Sequence, residues 1–158
     1  MHLDSYDRKI LEALQHNARI SNLELAELIG LSPSPCSRRV KHLEDSGLIS
    51  QYVTLLNPNL LALKLTALLH ISMDRHVPER FARFEAQIQA YPEVLECYLI
   101  TGQSADYLLK VVVADIEAYH DFLMGKITCL EGVSGVHTSF VLRRPVERTA
   151  LPLQKIGG

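Results

Sequence analysis

Apolar residues recur at helical spacing over residues 1–49 and at strand spacing over much of the remaining chain. Ile10, Leu11 and Leu14 make one helical stripe. They predict a first helix from near Asp4, with Asp7 in its first turn, where a carboxylate suits the helix dipole. Ser21-Asn22-Leu23-Glu24 is a capping box and opens a second helix, whose Leu25, Ala26 and Ile29 face inward and which Gly30 stops. A third helix begins at once. Ser32 is its expected N-cap and Pro33 takes the first helical position, where a missing N–H costs nothing; Pro35 is still within the first turn, and Gly47 ends the helix. The connection Gly30-Leu31-Ser32 is so short that the second and third helices must meet at a sharp angle, which is a helix-turn-helix.

Past Asn57-Pro58-Asn59, a turn signal, the periodicity changes. Leu63, Leu65, Ala67, Leu69, Ile71 and Met73 alternate with Lys64, Thr66, His70 and Ser72, the pattern of a half-buried strand, with Leu68 the exception. A helix is expected from Pro78 to about Ala90, with Phe81, Phe84 and Ile88 inward. Val94 to Thr101 reads as a strand, Gly102 to Ala105 as a turn, and Tyr107 to Ala114 as another strand. A helix from Ile116 to about Leu130 buries Tyr119, Phe122, Leu123 and Ile127; Gly132 ends it, and Val136 to Leu142 alternates as a last strand. The order βαββαβ is the ferredoxin-like split unit. The expected fold is α+β: a winged-helix-like helix-turn-helix over 1–49, a hinge strand or linker over 50–62, a ferredoxin-like domain over 63–144, and a tail over 145–158 with no assigned chemistry. The sheet face turned away from its helices is apolar in places and needs a cover, most simply a second copy.

Composition narrows the class. The chain has 158 residues, 47% of them hydrophobic, which suits a folded protein and not a disordered one. Three widely spaced cysteines, Cys36, Cys97 and Cys129, favour neither a disulfide framework nor a zinc site and fit a reducing compartment. No signal peptide or membrane-spanning run is apparent, so a cytoplasmic protein is expected. The formal net charge of −2 does not advertise nucleic-acid binding, so any such surface must be local.

The third helix carries such a surface. Cys36, Val40 and Leu43 share its inward face, while Ser34, Arg38 and Lys41 project opposite, flanked by Ser37, Arg39 and His42; no acid precedes Glu44. Small polar residues with cations beyond them fit a major groove: arginine can hold guanine O6 and N7 in bidentate fashion, and serine or lysine can meet bases or phosphates. Free N–H groups near Asn22 and Ser32, at two helix starts, suit phosphate oxygens. A charged face on an isolated helix is ordinarily just solvated. The capped helix and tight turn before this one favour double-stranded DNA as its partner.

Taken together, Leu3-Asp4, Asp7 to Leu11, Asn17 to Ser21, Gly30 to Pro33, Cys36, Arg38 to Val40, Leu43-Glu44 and Gly47 to Ile49 make a recognisable N-terminal pattern. It continues in Leu56-Asn57-Pro58, Glu96-Cys97, Thr101-Gly102, Asp106 to Lys110, Ala118-Tyr119 and Gly132-Val133. The chain resembles the Lrp/AsnC (feast/famine) transcription regulators from about Leu3 to Leu142. The resemblance implies dimers formed through facing sheets, often assembled into octameric rings. It also implies an amino-acid effector bound between dimers, beside the loop joining the second and third strands of the regulatory domain.

Here that loop runs from Thr101 to Tyr107. Backbone N–H groups around Gly102, Gln103 and Ser104 would suit a carboxylate, Gly102 permits close approach, and Asp106 would pair with an ammonium; Ala105 completes the segment. Tyr98 and Leu99 would add apolar contacts, and Thr138, Ser139 and Phe140 would line the cleft from a neighbouring subunit. Largely apolar surroundings point to leucine or methionine. Without the resemblance, Gly102 to Asp106 reads as a plain hairpin turn. Many members carry Gly-x-x-Asp in this loop. Here three residues separate Gly102 from Asp106, which is expected to reshape the pocket.

No cofactor, catalytic residue or metal site is expected. His2, His16, His42, His70, His76, His120 and His137 show no ligand spacing, although His70 and His137 fall on strands that the fold could bring together. Two alternatives to an effector-responsive regulator are an enzyme like the siroheme decarboxylases, which resemble the same architecture, and an architectural DNA-binding protein without an effector.

Overall fold

The structure is a computed structural model, and it describes residues 3–102 and 105–153. The chain forms two compact units. One comprises the chain up to Leu55 together with the chain from Val146 onward; the other is Leu56–Pro145.

The helical unit holds α1 (Ser5–His16), α2 (Asn22–Ile29) and α3 (Pro33–Asp45). Asp4 caps α1 in a reciprocal box with Asp7, and Ser21 caps α2 in the expected box with Glu24. Two orphan N–H groups are satisfied at each start. Gly30 ends α2 in the left-handed region at φ 76°, where a side chain would be strained, and the Leu31 N–H then bonds the Ala26 carbonyl at 2.9 Å. Ile10, Leu11, Leu25, Ala26, Ile29, Cys36 and Leu43 are buried together, with Leu14, Val40 and Ile49 packed on them.

The expected split of the tail is different in the structure. Leu153 packs on this same helical core. Two residues earlier, the Leu151 N–H donates to Gln15 Oε1 at 2.6 Å and Gln15 Nε2 donates to the Leu151 carbonyl at 3.2 Å. Gln15 thus treats the tail as a strand treats its neighbour. Residues 51–57, within the stretch 50–62 expected as a hinge strand or linker, carry no regular element, and a 3₁₀ turn comes next at Pro58–Leu61. A strand needs a ladder partner for its N–H and C=O groups, and none of the described residues supplies one.

The second unit holds β1 (Leu65–Met73), α4 (Pro78–Gln89), β2 (Val94–Leu99), β3 (Tyr107–Val113), α5 (Ile116–Phe122) and β4 (Val133–Phe140). The strands lie in the order β2-β3-β1-β4, each antiparallel to its neighbours. This is the ferredoxin-like arrangement. Burial alternates along β1, with Ala67, Leu69, Ile71 and Met73 inward. They pack with Leu109 and Val111 of β3 against Phe84, Ile88, Tyr119, Phe122 and Ile127 of the helical layer. The helix after β3 is not uniform as expected: Leu123–Ile127 widens into a π turn, closed by the Thr128 N–H on the Leu123 carbonyl at 2.9 Å. β4 also begins three residues early. Gly132 turns the chain at φ 95°, and its carbonyl accepts the Asp74 N–H at 2.8 Å, so pairing with β1 starts at Val133 through a bulge at Ser72/Met73.

Candidate nucleic-acid interface and effector loop

Helix α3 is anchored by Cys36 and Leu43, both with no exposed surface, and this orientation decides what projects. Ser34, Ser37, Arg38, Lys41 and His42 are exposed. Arg38, Lys41 and His42 make no ion pair among the described residues. Ser32 stands at the N-cap, but its side chain makes no capping bond. Pro33 and Pro35 have no N–H and the Cys36 N–H bonds the Ser32 carbonyl, so the Ser32 hydroxyl and the Ser34 amide are the groups left open at this helix start. The Asn22 side chain donates to the Pro33 carbonyl at 2.9 Å and ties the starts of α2 and α3 together, a restraint that supports the angle between them.

Arg39 is different from its neighbours. Its guanidinium bonds Asp4 and Asp7, each at 2.7 Å, and lies over the Tyr6 ring at 5.4 Å from the centroid. The Asp7 amide and then Arg39 hold the Asp4 carboxyl below its usual range, and Asp4 and Asp7 in turn raise the Arg39 guanidinium. Arg39 is therefore committed to joining α3 to the start of α1. The sequence pattern puts it among the groove-facing cations because helical spacing alone does not reveal a partner thirty-five positions away.

In the loop after β2, Gln103 and Ser104 lie outside the described residues. Thr101 and Gly102 are exposed, and a side chain added at Gly102 would meet nothing within 4 Å, so no contact among the described residues requires glycine there. Ala105 and Asp106 are half-buried. The Asp106 carboxylate accepts the Met73 N–H and His76 Nε2, each at 2.7 Å, while its backbone bonds Ile71 and Ile100. Asp106 thus clasps the loop to the end of β1. A carboxylate has further acceptor positions, so this clasp leaves room for a cationic ligand without being freely available to one.

Tyr98 and Leu99 are both at least half exposed at the end of β2. Beside Leu99 is a hollow of about 210 Å³, also lined by Glu85, Ile88, Gln89, Cys97 and Tyr107. Tyr107 donates to Glu85 at 2.6 Å; burial first, and then Glu85, push its phenol well above the usual range. Helical and strand spacing does not single out Glu85, His76 or Tyr107 for this site, because their approach depends on how α4 packs on the sheet. Thr138, Ser139 and Phe140 lie on β4, at the opposite sheet edge from β2, so one chain does not bring them to the loop. Thr138 is bonded to the Tyr119 hydroxyl, and Phe140 stacks edge-on against the Tyr119 ring, so both already serve the chain's own packing.

A helix-turn-helix with an open cationic face, and a separate antiparallel sheet domain with a ligand-sized loop and hollow, define a ligand-responsive DNA-binding regulator. Residues 3–50 match the winged helix-turn-helix DNA-binding family and residues 66–151 match the Lrp/AsnC ligand binding domain. The chain belongs to the Lrp/AsnC family of transcription regulators. It is 44% identical to the leucine-responsive regulatory protein of Haemophilus influenzae over 147 residues, covering 93% of this chain and 87% of that protein. It is 39% identical to the Bkd operon transcriptional regulator of Pseudomonas aeruginosa over 151 residues, covering 96% and 98%. A transcriptional regulator of Neisseria meningitidis, solved as a complex with L-Met, superposes with a TM-score of 0.93 at 41% identity, covering 97% of this chain and 98% of that one. The chain is a DNA-binding transcription regulator with an amino-acid ligand-binding domain, and not an enzyme. Nothing in these relationships supports the tetrapyrrole-enzyme alternative.

Proposed function

We propose that α3 reads an operator through Ser34, Ser37, Arg38, Lys41 and His42, with backbone amides near Asn22 and Ser32 on flanking phosphates and Arg39 holding the helix in place. The observation that carries this reading is the exposed row Arg38, Lys41 and His42, free of ion pairs among the described residues, in a protein whose net charge is −2. Counter-ions within the chain would have cancelled such a row. Binding several heads at once compensates for the modest charge of each. DNA as partner puts the protein's work in the cytoplasm of a prokaryotic cell.

The effector is leucine or methionine, held beside the loop at Thr101, Gly102, Gln103, Ser104, Ala105 and Asp106, with Leu99 on its apolar side. Tyr98, the next residue back along the strand, points to the other face of the sheet and takes no part. Support comes from the exposed Leu99 beside the hollow, from the hollow's small volume, below the roughly 300–1,000 Å³ of drug-sized sites, and from the L-Met complex of the Neisseria meningitidis relative. Thr138, Ser139 and Phe140 take part only as residues of a neighbouring copy. The open sheet face, which bears Leu68, Leu108, Val112 and Tyr98, packs on that of a second copy, and dimers gather into a ring of up to eight chains. Residues 51–57 then find the strand partner they lack within one chain.

Calorimetry against the twenty amino acids tests the effector. Saturable heat with leucine or methionine, and none with aspartate or lysine, is the expected result. Equal silence with all twenty would remove the effector from the reading. An effector can act only through its different affinity for two assemblies or head arrangements, so operator affinity and sedimentation should shift together on adding it.

A further inference from the structure

On the open face of the sheet, His70 of β1 stands directly opposite His137 of β4 in the antiparallel register. Their ring centroids are 6.2 Å apart and the rings are tilted at 51°. His70 is half-buried and His137 exposed. His70 Nδ1 is enclosed and has no hydrogen-bond partner among the described residues. Among the described residues, Lys110 and Glu96, joined to each other at 2.7 Å, and Tyr98, which bonds Glu96, are ionisable neighbours on this face. None of them pairs with either imidazole. The two rings therefore form a nitrogen-rich pair with no carboxylate bonded to either among the described residues.

We propose that His70 and His137 are a bidentate site for a divalent transition metal of the zinc class. Imidazole nitrogens prefer zinc, copper or nickel to calcium or magnesium. A zinc–nitrogen bond is about 2.0–2.1 Å, so two imidazoles on one ion place their ring centroids on the order of 5–6 Å apart. The observed spacing needs only a small rotation to reach this. An imidazole has two ring nitrogens, and only Nδ1 of His70 is enclosed without a partner among the described residues, so Nε2 remains to ligate; a half-turn about χ2 would instead put Nδ1 where Cδ2 now lies. Among the described residues no group of three or more ligand-type side chains gathers, so one chain supplies only half of a tetrahedral set. The same pair of a second copy, facing it across the sheets, completes four imidazoles and closes the site. That completion rests on the facing-sheet assembly proposed above; capture by the pair does not.

The test is a Zn²⁺ titration of the full chain in chelator-free buffer, read by calorimetry and by the imidazole ¹⁵N resonances. His70→Gln, His137→Gln and the double variant are run alongside, with circular dichroism as the folding control. His137 is exposed, so its variant keeps the fold measurable even if His70→Gln does not. The wild type is expected to bind with the ring signals of both histidines shifted, each single variant at least tenfold more weakly, and the double variant not at this site. Unchanged affinity in the double variant, or unmoved His70 and His137 signals at saturation, would overturn the site. Sedimentation in the same samples separates the two readings. Zn²⁺ that tightens the dimer tenfold in the wild type alone supports the completed site. A chain that binds Zn²⁺ at the pair yet stays monomeric refutes the facing sheets and leaves metal capture standing.

Discussion

Adjacent arginines on α3 have opposite duties, and their surroundings explain why. Arg38 is exposed and without an ion pair among the described residues, whereas Arg39 holds two carboxylates and an aromatic ring. Arg38→Ala is therefore expected to weaken specific operator binding by about tenfold or more at fixed salt, with an unchanged melting curve, as read by fluorescence anisotropy. Arg39→Ala should instead lower Tm, on the order of a few degrees, before it changes sequence preference. The reverse pattern would reassign the reading side chain. The Asp4 carboxyl adds a pH dependence. Its folded pKa lies below the ordinary 3.8, so its contribution is complete above that value and fades as the pH falls through the lower, folded one. Acid unfolding of the helical unit should begin in that range, and Asp4→Asn should flatten the slope while lowering stability at neutral pH.

Two elements owe their form to partners far along the chain. The tail has no periodic pattern, yet Leu151 and Leu153 are built into the helical unit through Gln15 and the core. Leu153→Ala should cost about 1–2 kcal/mol, and a stop after Pro145 more, each seen as a lower Tm for the helix-rich transition. A tail that could be removed without effect would show the packing to be incidental. The loop before β3 is clasped by Asp106, whose carboxylate satisfies the Met73 amide and meets His76. Asp106→Ala should therefore cost about 1–3 kcal/mol in the ligand-binding unit as well as removing the effector response, whereas Asp106→Asn retains an acceptor and should separate the two losses. A response lost in Asn but with full stability would favour direct contact with the ligand.

At the scale of the whole molecule, the proposed assembly rests on the open sheet face. Leu68 stands there at the middle of β1, half-buried beside Lys110 and Ser139. Leu68→Lys places a second cation beside Lys110, and if two such faces pack together it should yield a monomer in sedimentation with an intact circular dichroism spectrum. A dimer that survives the change would locate the interface elsewhere. The three helices, their caps at Ser21 and Gly30, the βαββαβ order and the inward sets of β1 and α5 were all legible in the sequence. Each rests on local chemistry: a capping side chain reaches three residues, and apolar periodicity repeats within one element. What tertiary structure alone decided are the contacts between residues remote in sequence: Arg39 with Asp4 and Asp7, Gln15 with Leu151, Asp106 with Met73, and His70 beside His137. Sequence spacing states which face a side chain occupies but carries no distance to another element, and only packing brings such groups within bonding reach.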